Sequence, residues 1–163
     1  MTLSLEGGYA EIWHWREERE AWRALERFPQ RFDVYPAAMA SAWHTVGLHA
    51  ADGGLIAGFL LAASGEIPSI AAHEGWLAVV GGDEYHLVQV TPRRIVSGRM
   101  IYRPILLLTS GRLFLVGELE ALLCNTATGE MVSHDFPDLI TDSKVADGRL
   151  RVTMHNGDVE MVG

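Results

Sequence analysis

Apolar and polar positions alternate along most of the chain, in short runs that glycine-rich turns separate. The clearest example is Gly111 to Glu130, where two apolar runs flank a polar break and a Thr-Gly-Glu turn follows the second run. Valine, leucine and phenylalanine suit a pleated, half-buried surface, and Gly129 can adopt the positive φ that a tight turn requires. The pattern predicts two adjacent antiparallel strands and a turn.

The N-terminal part of the chain predicts a hairpin followed by one helix. Two alternating segments within residues 2–15 flank Gly7-Gly8, a pair typical of hairpin turns. Arg16 to Phe28 is then dense in Glu, Arg and Ala, which favour helix, and Pro29 ends the segment. Charge pairs at helical spacing are mostly of like sign, so packing of the face that carries Trp22 must stabilise this helix.

The next segment predicts a loop and a second hairpin. The sequence is irregular from Phe32 onward, with Pro36 early, and leads into a strand near Trp43 to His49. Asp52-Gly53-Gly54 is typical of a hairpin turn, and a strand over Leu55 to Ala62 is predicted to follow it.

The second half of the chain contains an internal repeat. Gly75, Gly111 and Gly148 recur at intervals of 36 and 37 residues, each after a short polar lead-in and before an apolar run that predicts a strand. A second strand is predicted later in each unit, at Tyr85 to Val90, Ala121 to Asn125 and Val159 to Val162. Self-similarity at this period is typical of stacked or radially arranged β-units.

One unit also resembles a known family. Gly111 to Glu130, with Asp147-Gly148-Arg149-Leu150 opening the next unit, resembles a β-propeller blade of the pyrroloquinoline-quinone-enzyme type. Blades of that type pair a Gly-x-Leu strand with a strand that ends in Thr-Gly-Glu, and the likeness covers residues 66–163. It implies blade-like, four-stranded sheets. Quinone chemistry is not implied, because the family's quinone-binding residues have no counterparts here, and no cofactor is predicted.

These patterns together predict a mainly β protein of antiparallel, blade-like meanders with one N-terminal helix. The meanders would form a partial β-propeller, a small closed propeller or a β-sandwich. The length of 163 residues fits a single domain, with a hairpin and helix in residues 1–31 and the blade-like repeats in residues 66–163.

Composition narrows the range of partners and locations. A net charge of −8 argues against general binding of nucleic acid, which needs a basic surface. Cys124 is the only cysteine, so no internal disulfide and no cysteine-based zinc site can form. The N-terminus lacks the features of a signal peptide and no apolar run is long enough for a membrane span, so a cytoplasmic protein is expected.

No motif for catalysis or metal binding is evident. The chain lacks a nucleophile elbow, a phosphate-binding Walker loop and a His-Glu-x-x-His sequence, and Ser64-Gly65-Glu66 and Ser97-Gly98-Arg99 indicate turns. Seven histidines are scattered without metal-ligand spacing. The segment His134 to Asp142 predicts a loop whose acids have neither the intervals nor the glycine of an EF-hand. A catalytic set assembled from distant residues stays open.

Charge is distributed unevenly along the chain. Residues 85–117 contain five arginines and no acid, whereas residues 118–163 contain nine acids and three bases. We therefore expect a non-catalytic protein-binding module, in its most concrete form an acidic immunity-type inhibitor of a toxin or effector, which meets a basic partner through Asp135, Asp138 and Asp142. The alternative is an enzyme or ligand-binding domain that holds an anion through Arg93, Arg94, Arg99 and Arg103. A homo-oligomer formed by open sheet edges is a third hypothesis.

Overall fold

The computed structural model describes residues 1–34, 42–63, 69–90, 92–102 and 104–163. Within these ranges, the protein has one helix and sixteen strands in four sheets. The contacts divide the chain into two compact units, Met1–Gly98 and Arg99–Gly163. The mainly β fold with one N-terminal helix is confirmed, and the single domain expected from the length stays a prediction.

The first unit begins with a five-stranded sheet, sheet A, in the order β1-β2-β4-β5-β3. Its strands are β1 (Thr2–Leu5), β2 (Gly8–Trp15), β3 (Gln30–Val34), β4 (Ala42–Ala50) and β5 (Leu55–Ala63), and α1 (Glu18–Leu25) connects β2 to β3. Both predicted hairpins and the predicted helix are confirmed, although the helix is shorter at both ends than the sequence indicated.

Strand β3 corrects the expected loop that began at Phe32. It forms an edge of sheet A and pairs with β5 in parallel. Five residues with only two apolar side chains give a weak strand signal, and a parallel pair has no turn beside it to mark it. The ring of Phe32 stacks on that of Phe59 at a centroid distance of 5.0 Å, and this contact helps to hold the edge strand. The loop expected around Pro36 lies outside the described residues.

Two glycines that face each other across β4 and β5 make room for a buried phenylalanine. Gly47 and Gly58 are cross-strand partners. A Cβ atom at Gly47 would lie 2.3 Å from Cζ of Phe28, and one at Gly58 would lie 2.7 Å from Cδ2 of the same ring. Phe28, which follows α1, therefore packs directly on the backbone of the sheet. Leu25 of the helix is also buried there.

The second sheet of this unit, sheet B, has the order β6-β7-β8-β9. Its strands are β6 (Ser69–His73), β7 (Trp76–Gly81), β8 (Glu84–Gln89) and β9 (Arg94–Arg99). Sheets A and B share one apolar core, to which Val46 and Phe59 contribute from sheet A and Leu77 and Val88 from sheet B.

The second unit consists of two facing sheets. Sheet C has the order β10-β11-β12-β13, and sheet D has only three strands, β14-β15-β16. The strands are β10 (Ile105–Thr109), β11 (Arg112–Val116), β12 (Glu120–Asn125), β13 (Met131–Asp135), β14 (Ile140–Ala146), β15 (Arg149–Met154) and β16 (Val159–Val162). Phe114 and Val116 of sheet C pack with Leu150 and Val152 of sheet D in a common core.

The predicted repeat is present in sheets B, C and D. Gly75, Gly111 and Gly148 occupy the same place, the turn between the first two strands of each sheet, with φ values of 81°, 77° and 72°. The predicted second strands correspond to β8, β12 and β16. The strand before each glycine was not predicted. Strand β6 is short and weakly alternating and β14 contains mostly polar residues, whereas β10 is a clear apolar run that was missed because each repeat was taken to begin at its glycine.

Two expected turns or loops are strands. His134 and Asp135 end β13 and Asp142 lies in β14, so the loop predicted from His134 to Asp142 is confined to residues 136–139. Ser97-Gly98-Arg99 ends β9 and is not a turn. A Cβ atom at Gly98 would lie 2.4 Å from the hydroxyl oxygen of Tyr85, so glycine is needed here for close packing. Ser64-Gly65-Glu66 lies outside the described residues.

Among the described strands, β16 pairs only with β15, so one edge of sheet D is open there. Opposite residues in an antiparallel pair alternate between hydrogen-bonded and non-hydrogen-bonded positions, and the backbone N–H of Met154 donates to the carbonyl of Asp158. By this alternation Glu160 and Val162 bond to β15, whereas the backbone groups of Met161 point toward the open edge. Arg149 donates to the carbonyls of Gly163 and Met161, at 2.8 and 3.2 Å.

We expect that Arg149→Ala will lower the free energy of unfolding by about 1 kcal/mol and increase self-association, because two carbonyls at the open edge lose their donor. Urea unfolding and light scattering over a concentration series would measure both effects. Arg151→Ala, a change to the same residue type on the same strand, is the control. Equal effects in the two variants would contradict a specific role for Arg149.

Candidate functional site

The three predicted partner-binding acids have different structural roles. Asp135 ends β13, is exposed and lies opposite Glu120. Asp138 accepts hydrogen bonds from the backbone N–H groups of Leu139 and Asn156, at 2.8 and 2.9 Å, and so ties two turns of sheet D together. Asp142 is exposed on β14 and lines a surface groove. The Asp138 carboxylate is thus occupied by hydrogen bonds within the protein, whereas Asp142 lies at the groove.

This groove, here called the β10–β14 groove, runs between the edge strands of sheets C and D and has a volume of about 440 Å³. Its lining includes Tyr102, the apolar residues Ile105, Val116 and Ile140, and the acidic residues Glu118 and Asp142. None of the described lining residues is basic. Among the described residues, the lining therefore combines apolar side chains with two carboxylates.

One wall of the groove is the segment that precedes β10. The backbone N–H of Ile101 donates to a carboxylate oxygen of Glu120 at 3.1 Å. Gly117, in the turn between β11 and β12, lies so close that a Cβ atom there would be 3.2 Å from the carbonyl oxygen of Ile101. A larger residue in place of Gly117 would push this segment away, so the sequence of the turn sets the position of the wall.

Tyr102 occupies an unusual conformation on this wall. Its φ is 60°, in the left-handed region, which costs a bulky residue on the order of 1 kcal/mol. Its side chain is 65% exposed, and that of Ile105 is 56% exposed, so neither residue gains much from burial in the chain itself. Strained backbone of this kind is concentrated at binding and catalytic sites. Tyr102 thus combines an exposed side chain with a strained backbone.

The opposite wall is shaped by a β-bulge in β14. Ile140 pairs with Met154 and Asp142 with Thr153, which leaves Thr141 as an extra residue. The hydroxyl of Thr141 donates to the carbonyl of Thr153 at 3.1 Å. Because bulges change the direction of neighbouring side chains, this irregularity sets the direction in which Asp142 points.

The four predicted anion-binding arginines do not form a single cluster in the described part of the chain. Arg94 and Arg99 are the first and last residues of β9, so they lie on opposite faces of the strand and about 17 Å apart. The Arg94 guanidinium lies 6.0 Å from the centroid of the Trp76 ring. Arg93 lines a pocket to which neither Arg94 nor Arg99 contributes, and Arg103 is outside the described residues.

The pocket that contains Arg93, here called the Arg93 pocket, is lined by Gln30, Phe32, Arg93, Ile95 and Ser97 and has a volume of about 460 Å³. Behind its wall, Nδ1 of His86 lies 2.6 Å from the hydroxyl oxygen of Ser97. This hydroxyl–imidazole pair was not predicted from the sequence, which indicated a turn at Ser97.

The histidines do not assemble into a metal site in the ranges that the structure describes. His14 and His44 are cross-strand partners with their Nδ1 atoms 2.5 Å apart. Burial, and then the neighbouring His14, lower the pKa of His44. No group of three or more His, Cys, Asp or Glu side chains among the described residues could hold a metal ion.

The residues that define the two cavities gave little signal in the sequence. Tyr102 and Ile105 belong to no long alternating run. They stand out as candidate contact residues because their side chains are exposed, and this exposure depends on the packing of sheets C and D. His86 and Ser97 are eleven residues apart, and pairing of β8 with β9 brings them together. Only Asp142 and Arg93 could be selected beforehand, by the uneven charge distribution.

Comparison with known proteins gives no assignment. No protein-family model and no curated protein sequence matches this chain. Within the described ranges, the protein has no helix of the length and apolarity needed to cross a bilayer.

Proposed function

We propose that the chain is a protein-binding module whose β10–β14 groove receives a basic segment of a partner protein. The observation that supports this most is the combination of the exposed, strained Tyr102 and the exposed Ile105 with the carboxylates of Glu118 and Asp142 in one groove. Neither side chain is held there by burial within the chain, so a partner can supply the missing contacts.

The apolar side chains would supply most of the affinity. Complete burial of a large apolar side chain contributes on the order of 2 kcal/mol, and tyrosine is among the residues that most often dominate binding energy at interfaces. Tyr102 and Ile105 lie close in sequence on one wall, so a single partner segment can cover both.

The carboxylates would select the charge of the partner. Glu118 and Asp142 favour lysine or arginine, and the net charge of −8 attracts a basic protein over a longer distance. An acidic immunity-type inhibitor that covers a basic toxin or effector is the most specific form of this proposal. The cytoplasm is the proposed location, since the single cysteine suits a reducing compartment.

We expect that Asp142→Asn will weaken binding of the partner by about fivefold to tenfold, roughly 1–1.4 kcal/mol, mainly through slower association. The partner would be isolated by affinity purification of the tagged chain, and the kinetics measured by surface plasmon resonance at two salt concentrations. Asp147→Asn is the matched control, because it removes one exposed carboxylate from a turn and asparagine tolerates the positive φ of 51° found there. If both substitutions weakened binding equally, Asp142 would contribute only through the net charge of the protein and not through a contact in the groove.

We expect Tyr102→Gly to separate stability from binding. Glycine relieves the left-handed strain, which offsets its greater freedom in the unfolded chain, so the free energy of unfolding should stay within about 1 kcal/mol of the original value. Binding should weaken at least tenfold, because the aromatic contact is lost. Urea unfolding and equilibrium binding would measure the two quantities. Unchanged affinity would show that the groove is not the interface.

A further inference from the structure

A second site lies in the first unit, at the Arg93 pocket. Its lining comes from two edge strands, β3 of sheet A and β9 of sheet B, together with the turn that precedes β9. The volume of about 460 Å³ is within the range of small-molecule sites, and the lining combines two apolar side chains with three polar ones. We infer that this pocket binds a small organic anion that carries an apolar group.

Arg93 supplies the positive charge. One of its terminal nitrogens donates to the backbone carbonyl of Ile56 at 3.0 Å, which fixes the position of the guanidinium at the pocket. A guanidinium has five N–H donors and stays protonated, so an anchored Arg93 still has donors for a carboxylate or a phosphate. A fixed side chain also loses less conformational entropy when the anion binds.

The Ser97 hydroxyl is oriented by a buried histidine on the side of the pocket wall away from the cavity. Its partner His86 is only 6% exposed, and its imidazole lies 5.3 Å from the Phe32 ring and 5.4 Å from the Phe59 ring, centroid to centroid. Nε2 of His86 is buried without a hydrogen-bond partner among the described residues. Among the described residues, Ser97 is therefore the hydrogen-bond partner of the His86 imidazole, and this contact fixes the position of the hydroxyl at the pocket wall.

The same pair favours binding over catalysis. Burial lowers the pKa of His86 to about 4, so the imidazole is neutral at neutral pH and does not compete for the anion. A histidine with so low a pKa is a weak general base, because efficient proton transfer needs a pKa near the working pH. The Ser97 hydroxyl is thus held as a hydrogen-bonding group for the ligand, without activation as a nucleophile.

The remaining lining defines the rest of the ligand. Phe32 and Ile95 offer an apolar surface beside Arg93, and Phe32 is held in place by its stack on Phe59. Gln30 adds an amide that can donate or accept. A ligand with a carboxylate or phosphate at Arg93 and an aromatic or branched aliphatic group on Phe32 would satisfy all of these side chains.

The His86–Ser97 pair predicts an acid sensitivity of the fold. The folded-state pKa of His86, about 4, is below the ordinary value of 6.5, so the unfolded chain binds this proton more readily. The contribution to stability is complete above pH 6.5 and is lost progressively as the pH falls toward 4. Urea unfolding at pH 7 and pH 4 would show a smaller loss for His86→Asn than for the original chain. The same loss in both would contradict a buried, neutral His86.

Three probes test the site: phenylacetate, phenyl phosphate and inorganic phosphate, each titrated by calorimetry and by two-dimensional NMR of the labelled chain. We expect one of the two aromatic anions to bind at least tenfold more tightly than inorganic phosphate, with shifts concentrated in β3 and β9. The tighter aromatic probe identifies the head group, carboxylate or phosphate. Absence of binding by all three at millimolar concentration would overturn the proposal.

Substitutions then identify the charge that binds. Arg93→Met keeps an unbranched apolar stem, removes the guanidinium and should weaken binding at least tenfold, whereas Arg94→Met, the control at the neighbouring position, should leave it unchanged. Equal losses would overturn the assignment to Arg93. Ser97→Ala and Gln30→Leu provide a second test should Arg93→Met not fold, and full affinity in both would also contradict the site.

Discussion

In each unit, two sheets must cover each other's apolar faces to remove them from water. Sheets A and B share one core, and sheets C and D share another. The β10–β14 groove is a consequence of this requirement, because it lies between the edges of two sheets that must face each other. Substitutions at Phe114 or Leu150, which pack in the shared core and do not line the groove, would therefore alter the shape of the groove.

Much of the architecture could be read from turn chemistry. Gly75, Gly111 and Gly148 identified three repeats, since a left-handed position between two strands strongly favours glycine. The strands before Gly75 and Gly148 gave little signal, unlike β10 before Gly111, which is an apolar run. Strand β14, for example, places Thr, Asp, Ser and Lys along most of its length, because one face of it is open to solvent. Strands of this kind carry no alternating pattern to detect.

The candidate sites were less predictable than the fold. The uneven distribution of charge along the chain selected Asp142 and Arg93, but it selected with equal weight Asp138, which stabilises a turn, and Arg99, which lies on the other face of β9 from Arg94. The two candidate sites were identified by the exposure of Tyr102, the strain at its backbone and the burial of His86 next to Ser97. All three arise from tertiary packing, so no local property of the sequence encodes them.

Arg149 covers part of the open edge of sheet D. An incoming strand would have to share the carbonyl of Met161 with the guanidinium or displace it, and the Arg149 side chain also occupies space along this edge. A single arginine thus makes strand addition at the edge of sheet D less favourable.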